Sequence, residues 1–216
     1  MTTIGPVRTT ALLKVILTVA APVIVMGCSV PMVATYHVGL QNVERDAQAQ
    51  EQFGVAHIAE VSEGDSVAFV LEDGLMRITW VVEEARLPFV LENKTDQPIR
   101  IIWDDAVFMD LLGAPHKVMH RDVRYSQRGE PQAPTTVNPG EAREDFILAI
   151  NLPYQESDAS WREDPFLKPY RRLTRAELEP ALLNVGRSFV AILPIEFGGE
   201  VHQYVFTFRV RSVDIP

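Results

Sequence analysis

The chain has 216 residues, 20 basic and 29 acidic, for a formal net charge of −9. An acidic balance argues against nucleic acid as a partner, because phosphates attract Lys and Arg. A single cysteine leaves no internal disulfide to form, and the length suits one domain with elaborations.

In chain order, Arg8 and Lys14 come first, ahead of an almost wholly apolar run from Val15 to Met26. About twenty apolar residues are needed to cross a bilayer core; this run is shorter and contains Pro22. A basic flank, a short apolar region and then a small residue is the pattern of a secretory signal peptide. The run closes on Val25-Met26-Gly27-Cys28.

On those residues the N-terminus resembles the bacterial lipoprotein precursors. Their lipobox is an aliphatic residue, a small or apolar residue, Gly or Ala, then cysteine; Met26 stands where Ser or Ala is more usual. The resemblance covers residues 1 to about 30. It implies that residues 1–27 are a signal peptide removed on export, that the Cys28 sulfur carries a diacylglycerol, and that the new amino group is acylated. Two or more acyl chains hold a protein stably to a membrane, whereas one holds it marginally. In a Gram-negative host Ser29 implies sorting to the outer membrane, with the domain facing the periplasm; in a Gram-positive host the anchor lies in the only membrane present.

Residues 28–54 read as a lipidated N-terminus and polar tether, a short helix or a flexible stalk with too few apolar residues for a core of its own. From residue 55 to 216 the text is that of a mainly β domain. Met76, Ile78, Trp80 and Val82 alternate with polar neighbours, as in a half-buried strand. Two apolar runs flank Asn93–Pro98, which predicts a hairpin or a sharp β-arch; the sequon Asn93-Lys94-Thr95 matters only in a glycosylating host. Residues 111–126 read as a further hairpin, and Ala142–Ile150 as a strand. Gly198-Gly199 between two long alternating runs is the clearest hairpin, with His202, Tyr204, Phe206, Phe208 and Val210 sharing a face. Residues 152–186 are an excursion of Pro-rich loop and helix, with Thr174 and Glu177 spaced as a capping box and Pro180 interrupting the pattern. Eight or nine turn-spaced strands with one helical excursion predict an antiparallel β-sandwich, immunoglobulin-like by fold-level analogy.

Three groups of residues could carry function. His116 and His120 share a strand face, and with Asp105 or a neighbouring acid they could bind zinc; the alternative is two hydrogen-bonded histidines. Asp104 and Asp105 end an apolar strand, either as a calcium site or as solvated acids. Trp161, Arg162, Phe166, Tyr170, Arg171 and Arg172 interleave aromatics with cations on an acidic chain. That composition marks binding hot spots, or else a loop folded back over the sandwich. No GxSxG is present and the one thiol is assigned to lipid, so nucleophilic catalysis has no support.

The expectation is a lipid-anchored, non-catalytic envelope module without cofactor, held to the membrane by acyl chains on Cys28 and binding another envelope protein or a glycan. Two alternatives stand beside it. One is a small metal-dependent hydrolase using His116 and His120; the other is a structural subunit of a secretion or surface apparatus.

Overall fold

The computed structural model describes residues 32–63, 66–158, 160–170 and 175–215. Cys28, Arg171, Arg172 and Thr174 lie outside them. The strands are β1 (Thr35–Arg45), β2 (His57–Glu63), β3 (Ser66–Glu72), β4 (Met76–Val81), β5 (Leu87–Asn93), β6 (Ile99–Ile101), β7 (Val107–Met109) and β8 (Pro115–Met119). They continue with β9 (Thr135–Val137), β10 (Ala142–Ala149), β11 (Pro153–Ser157), β12 (Ser160–Glu163), β13 (Ser188–Phe197) and β14 (Glu200–Asp214). Two short helices are α1 (Ala47–Phe53) and α2 (Glu179–Leu182).

Twelve strands form one antiparallel sheet in the order β1-β14-β13-β7-β8-β10-β5-β4-β3-β2, with β6 joined to β13 and β9 joined to β6. The sheet folds over its own apolar face into a sandwich. One layer is built on β13 and β14, the other on β3, β4 and β5. Strand β8 pairs with β7 on one side and β10 on the other, so the layers are continuous there. Alternation drives the packing: β4 and β5 bury every second residue. Trp80 of β4 meets Phe206 and Phe208 of β14 with centroids 5.0 and 6.1 Å away, and Phe69 of β3 meets Phe208 at 5.8 Å. Such edge-to-face aromatic pairs add about 0.5–1.5 kcal/mol each beyond area burial.

The hairpin at Gly198-Gly199 forms as its sequence predicts, with Phe197 opposite Glu200. Both glycines take positive φ, 62° and 87°, the conformation that a tight two-residue turn requires. The Asn93–Pro98 loop resolves as an arch: β5 pairs with β4 and β10, whereas β6 pairs with β13 and β9.

The tether reading of residues 28–54 does not describe the part from Thr35 onward. Residues 35–45 are the edge strand β1, paired with β14 along its length, and Asp46 caps α1 through Ala49 N–H at 2.7 Å. The polar sequence of β1 reflects an edge with one face half open, its register shifted by bulges between His37 and Val38 and between Leu40 and Asn42. The excursion 152–186 also holds more order than a Pro-rich loop. Strands β11 and β12 form a separate two-stranded ribbon, and a 3₁₀ turn over Arg175–Glu177 precedes α2, which carries Pro180 in its first turn. There the missing proline N–H costs no hydrogen bond. Strands of three residues (β6, β7, β9) account for three of the five or six beyond the eight or nine expected.

Candidate functional site

The most developed site lies where β10 passes the end of β8. Asp145 of β10 is fully buried and on the same face as Ile147 and Ala149. It accepts hydrogen bonds from the amides of Arg121 at 2.9 Å and Phe146 at 2.8 Å, and faces His120 Nδ1 at 3.3 Å. Burial alone would raise its pKa; the hydrogen bonds from His120 and the two amides outweigh that and hold it below the usual carboxylate range. A carboxylate on Nδ1 fixes the proton there and leaves Nε2 as the free nitrogen.

His120 itself keeps only 4% of its surface exposed. Its ring stacks on Trp103 with centroids 4.3 Å apart and planes 2° apart, and Trp103 in turn donates its indole N–H to Thr135 Oγ1 at 2.8 Å. The imidazole is thus clamped in orientation by a carboxylate and a ring. It lines a cleft of about 460 Å³ together with Gln132, Thr135, Thr136 and Arg143, within the size range of small-molecule sites. Among the described residues, two atoms of this lining are buried without a hydrogen-bond partner, Gln132 Oε1 and Arg143 Nε. An unpaired buried polar group costs about 1–3 kcal/mol, so each of these two atoms gains from a water or ligand group that enters the cleft. Arg143 also reaches Asp122 through Nη2 at 2.7 Å, and β9 has no strand on its outer edge among the described residues.

A second cleft, about 250 Å³, brings together His116, Phe166, Lys168 and Tyr170 with Asp110, Asn184 and Arg187. His116 Nε2 pairs with Asp110 Oδ2 at 3.0 Å, and Asp110 Oδ1 accepts the amides of Leu112 and Ala114. These contacts overcome the effect of burial and lower the Asp110 pKa. They are what a tight turn between β7 and β8 requires. Phe166 fits between Phe108 and Phe189, 5.0 Å from each centroid, and Leu167 N–H donates to Glu84 O at 3.0 Å. This part of the aromatic segment folds back onto the sandwich.

Trp161 belongs to a third place. It packs on Tyr125, and the Arg128 guanidinium lies 5.1 Å from its ring centroid. Beside it Glu163 binds both the Arg86 guanidinium and the Tyr125 hydroxyl. Burial, then the hydrogen bond to Glu163, raises the Tyr125 pKa. Arg162 is exposed and pairs with Glu156 across the β11–β12 ribbon at 2.6 Å.

The structure therefore separates residues that share a sequence neighbourhood. His116 and His120 have different acids and different clefts. Asp105 is exposed in a one-turn 3₁₀ helix. Among the described residues no three His, Cys, Asp or Glu side chains are grouped to hold a metal.

No known protein family, curated protein or solved structure matches the chain. The site rests on its own geometry. Asp145, Gln132 and Arg143 escaped the sequence reading, although Asp145 carried a signal: in the strand AREDFILA it is in phase with Ile147 and Ala149, an acid on the apolar face.

Proposed function

We propose that the chain is a lipid-anchored cell-envelope protein whose β-sandwich is a non-catalytic binding or assembly module, facing the periplasm in a Gram-negative host. The sequence around Cys28 supports the anchor. One observation supports binding: two buried atoms without a partner among the described residues, Gln132 Oε1 and Arg143 Nε, line the same cleft as the clamped His120. With Nδ1 facing Asp145, the cleft offers His120 Nε2, the acceptor Gln132 Oε1 and the donor Arg143 Nε–H. Ligands rich in hydroxyl or amide groups complement that set, which fits either a glycan or a peptide segment of the envelope.

Two measurements test the reading. The intact mass of membrane-extracted protein should begin at Cys28 plus acyl chains, and a Cys28→Ser variant should lose both the acyl mass and membrane association. The His120 side-chain NMR signals should shift on titration with peptidoglycan fragments or envelope oligosaccharides, and Arg143→Met should abolish the shift. An uncleaved, unmodified N-terminus would overturn the anchor, and an unresponsive cleft would overturn the binding role.

A second reading, hydrolysis with His120 as general base, has the Asp145–His120 pair in its favour, since an oriented imidazole is half of a catalytic set. Among the described residues no hydroxyl hydrogen-bonds that imidazole. Turnover of an ester or glycoside that disappears in His120→Ala would establish it.

A further inference from the structure

We infer that the end of the sandwich where β1 begins is a membrane-contacting face, with Leu182, Leu183 and Val185 seated at the headgroup level of an anionic bilayer. This rests on the proposed anchor at Cys28.

The three side chains are 45%, 71% and 45% exposed within four consecutive residues. The exposure does not come from a loose segment. Leu178 and Ala181 on the other side of the turn are fully buried, and the amides of Leu183, Asn184 and Val185 donate to the carbonyls of Pro180, Ala181 and Leu182. Gly186 N–H, on Val210 O at 2.9 Å, fixes the turn to β14. An ordered surface turn that presents three aliphatic side chains is a candidate for contact with an apolar phase.

Its position in the chain decides which phase. Asn184 Nδ2 donates to Tyr36 Oη at 3.1 Å, and Ala34 N–H donates to Pro169 O at 2.9 Å, so the turn and the preceding loop are stitched to the start of β1. Cys28 precedes Ala34 by six residues. Fully extended, six residues reach about 20 Å, less than the ~30 Å thickness of a bilayer core. Acyl chains on Cys28 therefore keep this end of the domain close to the lipid surface. Along the sequence, residues 166–187 hold five cations and two acids in a chain of net charge −9; of these cations the side chains of Lys168, 3.7 Å from Asp164, and Arg187 are among those described. Arg187 is exposed and has no ion pair among the described residues. Cations beside exposed aliphatic groups are the composition of an interfacial membrane contact.

The test uses the full-length acylated chain reconstituted in vesicles of phosphatidylethanolamine and phosphatidylglycerol, with Leu183→Cys carrying an environment-sensitive fluorophore. Val90→Cys, exposed on the outer face of β5, is the control. The probe at 183 should blue-shift and be quenched by brominated acyl chains at least tenfold more than the probe at 90. Adding Leu182→Asp should return it to the control value. Equal, water-like signals at both sites with Cys28 acylated by mass would overturn the face and leave the anchor standing. A blue shift at 183 that appears only when envelope proteins are added would also overturn it, in favour of a protein partner. A chain whose Cys28 is unacylated, with no vesicle association, would remove the anchor and the geometric ground of the inference together.

Discussion

Tyr204 donates its hydroxyl to Asp73 Oδ2 at 2.8 Å, across 131 residues of chain, and Arg45 reaches the same oxygen at 2.8 Å. The other oxygen, Asp73 Oδ1, accepts the amides of Leu75 and Met76, closing the turn between β3 and β4. One fully buried carboxylate thereby joins β14, the end of β1 and the opposite layer. Burial, reinforced by the charge of Asp73, pushes the Tyr204 pKa well above that of a free phenol, so the hydroxyl remains a donor.

Removing one partner from this group leaves a charge stranded in the core. Arg45 is 7% exposed at its side chain and Asp73 0%. Asp73→Asn is expected to cost about 3–5 kcal/mol, the range for a broken buried ion pair. Tyr204→Phe, which deletes one hydrogen bond to a charged group, is expected to cost about 1.5–3 kcal/mol. Urea unfolding followed by fluorescence separates the two. Equal small losses would mean that water replaces the missing partners.

Acid should unfold the domain through its structured carboxylates. The folded pKa values of Asp145, Asp110 and Asp46 are all lowered. A group whose folded pKa lies below its unfolded value contributes stability above the unfolded pKa, about 3.9 for Asp. That contribution is lost as pH falls through the folded value, because the unfolded chain binds the proton first. Stability should therefore drop on acidification below about pH 4–5, and Asp145→Asn should flatten part of that slope. Chemical unfolding across the acid range, on wild type and variant, gives the two slopes directly. Identical slopes would mean that Asp145 has no part in the acid response.

The residues legible in the sequence and those that were not differ by a physical rule. Alternation identified the inward faces of β4 and β14 because Trp80, Tyr204, Phe206 and Phe208 are large and in phase. The same phase, followed through the polar residues, finds the structural and candidate-site groups: Asn93 after Leu87, Phe89 and Leu91, Asp145 before Ile147 and Ala149, His202 before Tyr204. A polar side chain on the apolar phase must find a partner inside. What the phase cannot supply is the partner. His120 and Asp145 are 25 residues apart, and Asp73 and Tyr204 131; those distances are set by sheet order, which short strands such as β6 and β9 conceal. The edge strand β1 was hidden for a related reason, since one open face removes the apolar alternation.

Asn93 shows how burial revises a motif. It heads the sequon Asn93-Lys94-Thr95, yet it is fully buried, and its Nδ2 donates to Gln97 O at 2.7 Å and Val137 O at 2.9 Å. Its Oδ1 accepts from the Thr95 amide and hydroxyl. The amide thus pins the arch between β5 and β6 to the end of β9. Once folded, the chain should remain unglycosylated at Asn93 when treated with an oligosaccharyltransferase. Asn93→Ala, which strands buried carbonyls, should cost roughly 2–4 kcal/mol, on the order of one to two unsatisfied groups. A mass shift of one glycan on the folded protein would contradict the buried arch.

The cleft at His120 allows stability and binding to be separated. Arg143→Met removes an unpartnered buried N–H and one ion pair whose side chains are 33% and 61% exposed. Exposed pairs contribute about 0–1 kcal/mol, and loss of the orphan donor offsets part of that, so the variant should unfold within about 1 kcal/mol of wild type. His120→Ala should behave differently. It deletes the ring stacked on Trp103 and leaves Asp145 with its two backbone donors alone, opening a cavity under a buried carboxylate. Truncation of a large buried side chain costs about 2–5 kcal/mol. Thermal and urea unfolding of both variants, with ligand titration of Arg143→Met, forms one experiment. Arg143→Met that keeps its stability and loses its ligand assigns the orphan donor to recognition. A loss above about 3 kcal/mol in that variant would instead make Arg143 part of the framework of β10.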